Sequence, residues 1–357
     1  MKKPMICLVS PFPPPLGGMA IQAGKLVNCL EKEGIGVIPV RTNIIWPRGA
    51  EWISKIPFIR TIVNSLVFFK YLVTAVRQCD VVYFLSGFFN FFFWITLPAI
   101  IIIKILGKKV ILNARGGGAE AFFMRWKKIV GPVIRLADLI TTPSAFLQDI
   151  FKKQLGITPV VVPNIADFGQ FKFKKRTFLK PHLIITRSLE DIYNVECAIL
   201  AFKIVNDQYP ESTLAVVGDG TLRKNLESLT QSLGLNPSVT FYGRVSHDKI
   251  QDLYEKNDIF INTSNVDNLP GTILEAFASG LPVVSTNAGG IPYMVDHGRT
   301  GLLVEKNDHK GLAQNVLQLL KEQDLSDLLT RNAWTECQNY SWDSVKDKIL
   351  PILNQYG

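Results

Sequence analysis

Two carboxylates eight residues apart frame the segment Asp267 to Thr286, DNLPGTILEAFASGLPVVST. After Asp267 comes Asn268-Leu269-Pro270-Gly271, turn chemistry that delays any helix until about Thr272. The first N–H groups of that helix point back into the loop, where they suit an anion. Glu275 is then expected in the first helical turn, with Gly280 as a left-handed stop and Pro282 barring continuation before the apolar strand Val283-Val284. A helix start beside a carboxylate can hold phosphate with the amides and a pair of hydroxyls with the acid.

Other residues extend that chemistry. Arg187 ends the strand-like run Leu183–Thr186, where a guanidinium either clamps a diphosphate or pairs with Glu190 or Asp191. Asn113-Ala114-Arg115-Gly116-Gly117-Gly118 ends an earlier strand in the same way, and its glycines read either as close backbone approach to a ligand or as a flexible loop. Gly17-Gly18 follow the first strand and open the first helix, an anion site or a plain tight turn. Gly218-Asp219-Gly220 is a similar strand-to-helix turn and weak evidence alone. Neither GxGxxG nor GxxxxGK occurs, so no dinucleotide or Walker fingerprint is present. Together these residues predict an anion-binding cleft, with the glycine loops and Arg115 on one wall and Arg187 with the Gly271–Thr272 amides on the other. Glu275 would accept from ribose hydroxyls, the arrangement a nucleoside diphosphate requires.

The elements that must place these groups alternate strand and helix along the chain, the pattern of α/β proteins with parallel sheets. A length of 357 residues favours two domains. The spacing predicts strands at Met5–Ser10, Val37–Val40, Val81–Leu85, Val110–Asn113, Leu139–Thr142 and Val160–Pro163, then a linker over Ala166–Pro181. A second series follows at Leu183–Thr186, Thr213–Val217, Val239–Tyr242, Ile259–Asn262 and Pro282–Ser285. Domains of 1–168 and 169–340 are expected, two Rossmann-like units whose sheets face across a cleft and whose ligands collect at strand carboxyl ends. SWDSVKDKILPILNQY reads as a final helix interrupted at Pro351.

Composition bounds the partners. Five cysteines (7, 29, 79, 197, 337) form no CxxC pair and read as reduced cytosolic thiols. Four histidines show no ligand spacing and no Asp-x-Asp occurs, so no metal and no cofactor is expected. The net charge of +9 is uneven: residues 1–170 hold 20 Lys/Arg against 8 Asp/Glu, and residues 171–357 hold 19 against 22. The basic, apolar first half suits a solvated surface or anionic lipid head groups better than nucleic acid. Val81 to Ile103 is uncharged and long enough to span a bilayer, but Ser86-Gly87 and Pro98 argue for strand, hydrophobic helix and strand, with an interfacial helix as the compromise. Met1-Lys2-Lys3 is not followed by an apolar run of export-signal length.

On these motifs the chain resembles the family 4 retaining glycosyltransferases of GT-B fold. Asp267-x7-Glu275 is similar to that family's Glu-x7-Glu, and EAFASGLPVVSTNAGGIPYMV with HGRTGLLV matches its continuation. LVSPFPPPLGGMAIQAGKL and TTPSAFLQDIFKKQLG with VVPNI resemble its first half. The resemblance implies catalytic roles for Asp267, Glu275 and Arg187, and Arg115 is expected to balance diphosphate charge in place of the family's missing Lys. It implies donor contacts from Arg187, Gly243, Arg244, Val245, Asn268, Leu269, Pro270, Gly271, Thr272 and Glu275, to which the glycine turns add Gly17, Gly18 and Gly218 as expected donor contacts. It also implies a final helix, about 341–357, crossing back to the first domain. The expected partners are a nucleotide-diphospho-sugar and a lipid-linked saccharide or polysaccharide acceptor. The expected place is the cytoplasmic face of the membrane, touching anionic lipid. Three departures stand out: Asp267 is a methylene shorter than Glu, Ile192-Tyr193-Asn194 replace the usual Lys, and Arg115 stands where a His is common. They leave a catalytically inactive sugar-nucleotide-binding subunit as the alternative.

Overall fold

The fold comes from a computed structural model that describes residues 3–14, 17–43 and 56–357. Met1 and Lys2 of the basic start, and Pro15 and Leu16 of the proline-rich loop, lie outside the described residues. The chain divides into two compact units, Met1–Ile165 with Trp342–Gly357, and Ala166–Ser341.

The first unit runs β1 (Met5–Ser10), α1 (Gly18–Lys32), β2 (Gly36–Arg41), α2 (Pro57–Gln78), β3 (Val81–Ser86), α3 (Leu97–Ile105), β4 (Lys109–Ala114), α4 (Ala119–Ile134), β5 (Leu139–Thr142), α5 (Ala145–Leu155) and β6 (Val160–Val161). All its strands are parallel, in the order β2-β1-β3-β4-β5-β6. Strands covered on both faces read as continuous apolar runs, and every residue of β3, VVYFLS, is buried. Val81 to Ile103 is therefore not one span. After β3 the chain turns through a π-helical turn, Phe92–Thr96, into α3, and Pro98, which has no N–H to donate, follows just after that widened turn.

The second unit runs β7 (His182–Thr186), α6 (Val195–Gln208), β8 (Thr213–Val217), α7 (Arg223–Ser232), β9 (Val239–Gly243), α8 (His247–Lys256), β10 (Ile259–Asn262), α9 (Gly271–Ala278), β11 (Val283–Thr286), β12 (Leu302–Val304), α10 (His309–Lys321) and α11 (Gln323–Cys337). Its parallel order is β12-β11-β10-β7-β8-β9. The chain grows outward from β7 through β8 and β9, then returns to lay β10 on the other side of β7. That reversal opens a crevice between the loops after β7 and β10, where open α/β sheets receive ligands.

Three differences from the sequence reading stand out. The Lys- and Phe-rich stretch read as a linker is sewn onto the second unit by Arg176. The Arg176 guanidinium donates to the carbonyls of Tyr254, Asn257, Ser279 and Gly280 and to Asp258 Oδ1 at 3.0 Å. Helix α12 (Trp342–Tyr356) runs through Pro351 without interruption. Pro351 lies on its exposed side, where an unpaired carbonyl can meet water. Val345, Ile349 and Leu353 of α12 bury against Ile6 and Leu8 of the first sheet. Elements α2, α4, α5, β12, α10 and α11 are additional to those the spacing predicted.

Candidate functional site

Helix α9 starts at Gly271, one residue earlier than expected, so Glu275 is its fifth residue and stands in the second turn, not the first. Pro270 supplies an extended residue before the helix (ψ 111°), and Gly271 has no side chain to resist the helical start. Ile273, Leu274, Ala276, Phe277 and Ala278 bury one face and fix the helix against the sheet. No side chain caps its first turn and no acid lies within it. The Thr272 Oγ1 is buried without a hydrogen-bond partner, and a Cβ added at Gly271 would meet nothing within 4 Å. The helix start is thus open to an acceptor from outside the protein.

Glu275 is held by a residue sequence reasoning missed. The buried Tyr254 hydroxyl donates to Glu275 Oε2 at 3.0 Å and lies 3.0 Å from Thr186 Oγ1, at the carboxyl end of β7. Burial first, and then the charge of Glu275, pushes the Tyr254 hydroxyl well above the ordinary tyrosine range, so it remains a donor. In sequence Tyr254 is one apolar position in the amphipathic stretch HDKIQDLYEK, and nothing there signals a polar partner.

Arg187 follows β7 and Asp267 follows β10, so the two stand across the crevice between those strands. Arg187 Nη2 lies 2.7 Å from Asp267 Oδ2, and Nε donates to Asn262 Oδ1 at 2.9 Å. Charge holds the first contact without alignment, since both buried atoms lack a true hydrogen bond. The Arg187 guanidinium also rests 5.2 Å from the Tyr193 ring centroid. The simpler pairing with Glu190 is absent: that carboxylate accepts from the Thr221 hydroxyl and amide at 2.6 and 3.1 Å, which lowers its pKa.

The glycines of this unit serve its own backbone. Gly218 has φ +139°, and a Cβ there would overlap the Arg187 carbonyl oxygen. Its amide donates to the Gly243 carbonyl at 2.8 Å, bringing Gly243-Arg244-Val245 beside the Arg187 loop; Arg244 is exposed and Val245 half-buried. Gly289 and Gly290 allow equally close passage of the Asp267 and Asn268 carbonyls, and Gly290 N donates to Asp267 O at 2.9 Å. Both lie in the quoted NAGGIPYMV but were not among the predicted site residues. Asp267 Oδ1 accepts from Asn268 N at 2.9 Å, which completes a rigid turn leading to Leu269 and α9.

The first unit gathers Gly17, Gly18 and Arg115 at the carboxyl edge of its own sheet, after β1 and β4. A Cβ at Gly17 or Gly18 would meet nothing within 4 Å, and Gly17 is extended (φ −153°), so neither packing nor conformation demands glycine. Arg115 donates to the amide oxygens of Asn113 and Asn164 and, among the described residues, pairs with no carboxylate. Burial lowers its pKa to about 10, which leaves it a cation at neutral pH. Gly116 and Gly118 pack under the rings of Phe88 and Phe89, and they form a seat for aromatic side chains in place of a loose loop. Beyond them lies an open cavity of about 390 Å³ lined by Phe89, Asn90, Phe93, Arg125 and Trp126. Among the described residues, no group of three or more His, Cys, Asp or Glu gathers in a metal-holding arrangement.

Residues 169–335 match the family model described as "Glycosyl transferases group 1". The sulfoquinovosyl transferase SQD2 of Arabidopsis thaliana is 32% identical over 43% of this chain and 30% of its own length. A GDP-mannose-dependent alpha-(1-6)-phosphatidylinositol monomannoside mannosyltransferase of Mycobacterium tuberculosis is 26% identical over 60% of this chain and 61% of its own. The chain thus spans about a third to three fifths of the length of these curated relatives. In fold, a crystal structure of Anabaena HepE in complex with UDP and glucose matches with a TM-score of 0.72 at 19% identity, covering 99% of this chain and all of that one.

Proposed function

Because residues 169–335 match the group 1 glycosyl transferases, we propose that the chain belongs with them and moves a sugar from a nucleotide-diphospho-sugar to a lipid-linked or polysaccharide acceptor. The observation that carries this reading is the Arg187–Asp267 pair beside the uncapped start of α9, astride the strand reversal of the second sheet. A diphosphate entering there becomes the new partner of Arg187 and of the α9 amides. Asp267, released from Arg187, then accepts from hydroxyls of the transferred sugar together with the amides of Asn268 to Gly271. Glu275, steadied by Tyr254, accepts from the ribose hydroxyls. Gly243, Arg244 and Val245 lie by the nucleobase.

As the bond between the sugar's anomeric carbon and the phosphate oxygen breaks, negative charge grows on the leaving diphosphate. Fixed cations and oriented amides stabilise that charge more than the ground state, which is their contribution to rate. Arg115, which pairs with no carboxylate among the described residues, supplies in this reading the charge of the lysine that Ile192-Tyr193-Asn194 replace. The proton of the attacking hydroxyl passes to the leaving phosphate, the anomeric configuration is retained, and neither metal nor cofactor takes part.

A lipid-linked acceptor is supported by the aromatic cavity of the first unit and by its surplus of positive charge. The mycobacterial relative is named for a phosphatidylinositol acceptor and a GDP-mannose donor, and HepE was crystallised with UDP and glucose. The enzyme works at the cytoplasmic face of the membrane in this reading. A panel of UDP-, GDP-, ADP- and dTDP-sugars tested by thermal shift, then by hydrolysis and transfer to lipid extract, checks it. At 100 times Kd one donor stabilises the fold by about 2.7 kcal/mol, and Glu275→Ala lowers kcat/KM by about 100-fold or more. Stabilisation without hydrolysis or transfer would favour the inactive subunit, a reading motivated by the Lys replaced at Ile192-Tyr193-Asn194 and the His replaced at Arg115.

A further inference from the structure

Helix α2 has the length and composition of a membrane span over Ile59–Gln78, at a hydropathy of 1.4, yet its packing forbids it to be one. Its second half is a wall of the first core, where Phe68, Leu72, Ala75 and Val76 are buried against the sheet. Crossing a bilayer would strip those residues from the core. The first half turns outward: Ile59, Ile62 and Leu66 recur at helical spacing on the exposed side, with Leu66 at 67% exposure. Helix α3 shares that core and behaves alike, exposing Trp94 from its π-helical entry and Ile105 at 79%. Large apolar side chains clustered in this way mark a surface that meets something apolar.

The charge pattern identifies the occupant. Helix α2 carries exposed Arg60, Lys70 and Arg77 and no carboxylate, α3 carries no carboxylate either, and the one acid between the two helices is Asp80. Asp80 is engaged with the Met5 amide at 2.8 Å. A second copy of this face would bring cations against cations, whereas an anionic lipid surface complements both the charge and the apolar stripe. We propose that the α2–α3 face docks on an anionic bilayer, with α2 lying in the plane of the interface and Ile62, Leu66, Trp94 and Ile105 at the acyl boundary. The proposal rests on the membrane-surface reading above and names the face that performs it.

Flotation of the full chain with phosphatidylcholine vesicles, and with vesicles in which about a third of the lipid is phosphatidylglycerol, tests it. The wild type partitions onto the anionic vesicles at least about tenfold better than onto neutral ones, and added salt weakens it. The double variant Ile62→Glu with Leu66→Glu loses at least about tenfold of that partition. Its melting temperature and its stabilisation by a nucleotide sugar remain as in the wild type, because both residues already face water. Equal partition by the variant overturns the proposal. So does failure of the wild type to bind vesicles while a nucleotide sugar still stabilises it, an outcome that leaves the donor reading standing. A dimer in sedimentation that Leu66→Glu dissociates, without vesicle binding, assigns the face to a second copy and overturns it as well.

Discussion

The two strand edges use glycine and charge in opposite ways. At the edge of the second unit Arg187 is matched by Asp267, Glu275 by Tyr254, and Gly218, Gly289 and Gly290 are hemmed in by their own backbone. At the edge of the first unit a Cβ at Gly17 or Gly18 would meet nothing within 4 Å, and Arg115 donates to two neutral amides and pairs with no carboxylate among the described residues. A closed, electrically balanced loop system holds its shape before any ligand arrives, which is preorganisation. A desolvated cation without a counter-ion is held at a cost that an anionic ligand would offset. The second edge is built to present a geometry, and the first is built to be completed.

That contrast can be broken most sharply at the glycines. Gly290→Ala forces a Cβ into the Asn268 carbonyl, so it is expected to lower stability by about 2–4 kcal/mol and abolish donor binding. Gly17→Ala is expected to leave the melting temperature within about a degree of wild type and still weaken the donor by about tenfold or more. Denaturant melts and donor titrations on both variants decide it; a Gly17→Ala protein that binds normally would show the first edge to be a plain turn. Next in size, Arg187→Ala strands Asp267 and should cost about 1–3 kcal/mol in a urea melt. Asp267→Asn in that background should restore part of the stability and none of the turnover. Unchanged stability in the single variant would mean the pair is ornamental. The smallest effect is expected for Tyr254→Phe, which removes one hydrogen bond to Glu275. Its KM for donor rises about three- to tenfold with kcat little changed. The wild-type hydroxyl donates only while protonated, and its pKa is raised, so this contribution should persist through the ordinary tyrosine range and fail only well above it. A wild-type donor affinity that falls near pH 10, and does not in Tyr254→Phe, would contradict that assignment.

Most strands were legible because parallel sheets bury both faces, and runs such as VVYFLS or LAVV have few other uses. The start of α9 was legible to within a residue from Pro270 and Gly271. Pairings between loops were not. Arg187 and Asp267 meet only because β10 is laid next to β7, a consequence of strand order that no local spacing contains. Tyr254 was hidden for the same reason: its hydroxyl finds Glu275 from a different helix. Helix α2 escaped notice because it has two apolar faces, one for the core and one turned outward, which erases the polar stripe that periodicity detects. Pro351 misled in the other direction, since a proline on the wet side of a well-packed helix leaves the freed carbonyl to water and does not end the helix.

The strap through Arg176 determines where the molecule can be dissected. A gene fragment begun at His182, where the first strand of the second unit starts, would discard the guanidinium and strand four carbonyls and Asp258 in a dry interior. One begun at Ala166 keeps them satisfied, so the sixteen residues ahead of the strand belong to any autonomous folding unit cut from this half.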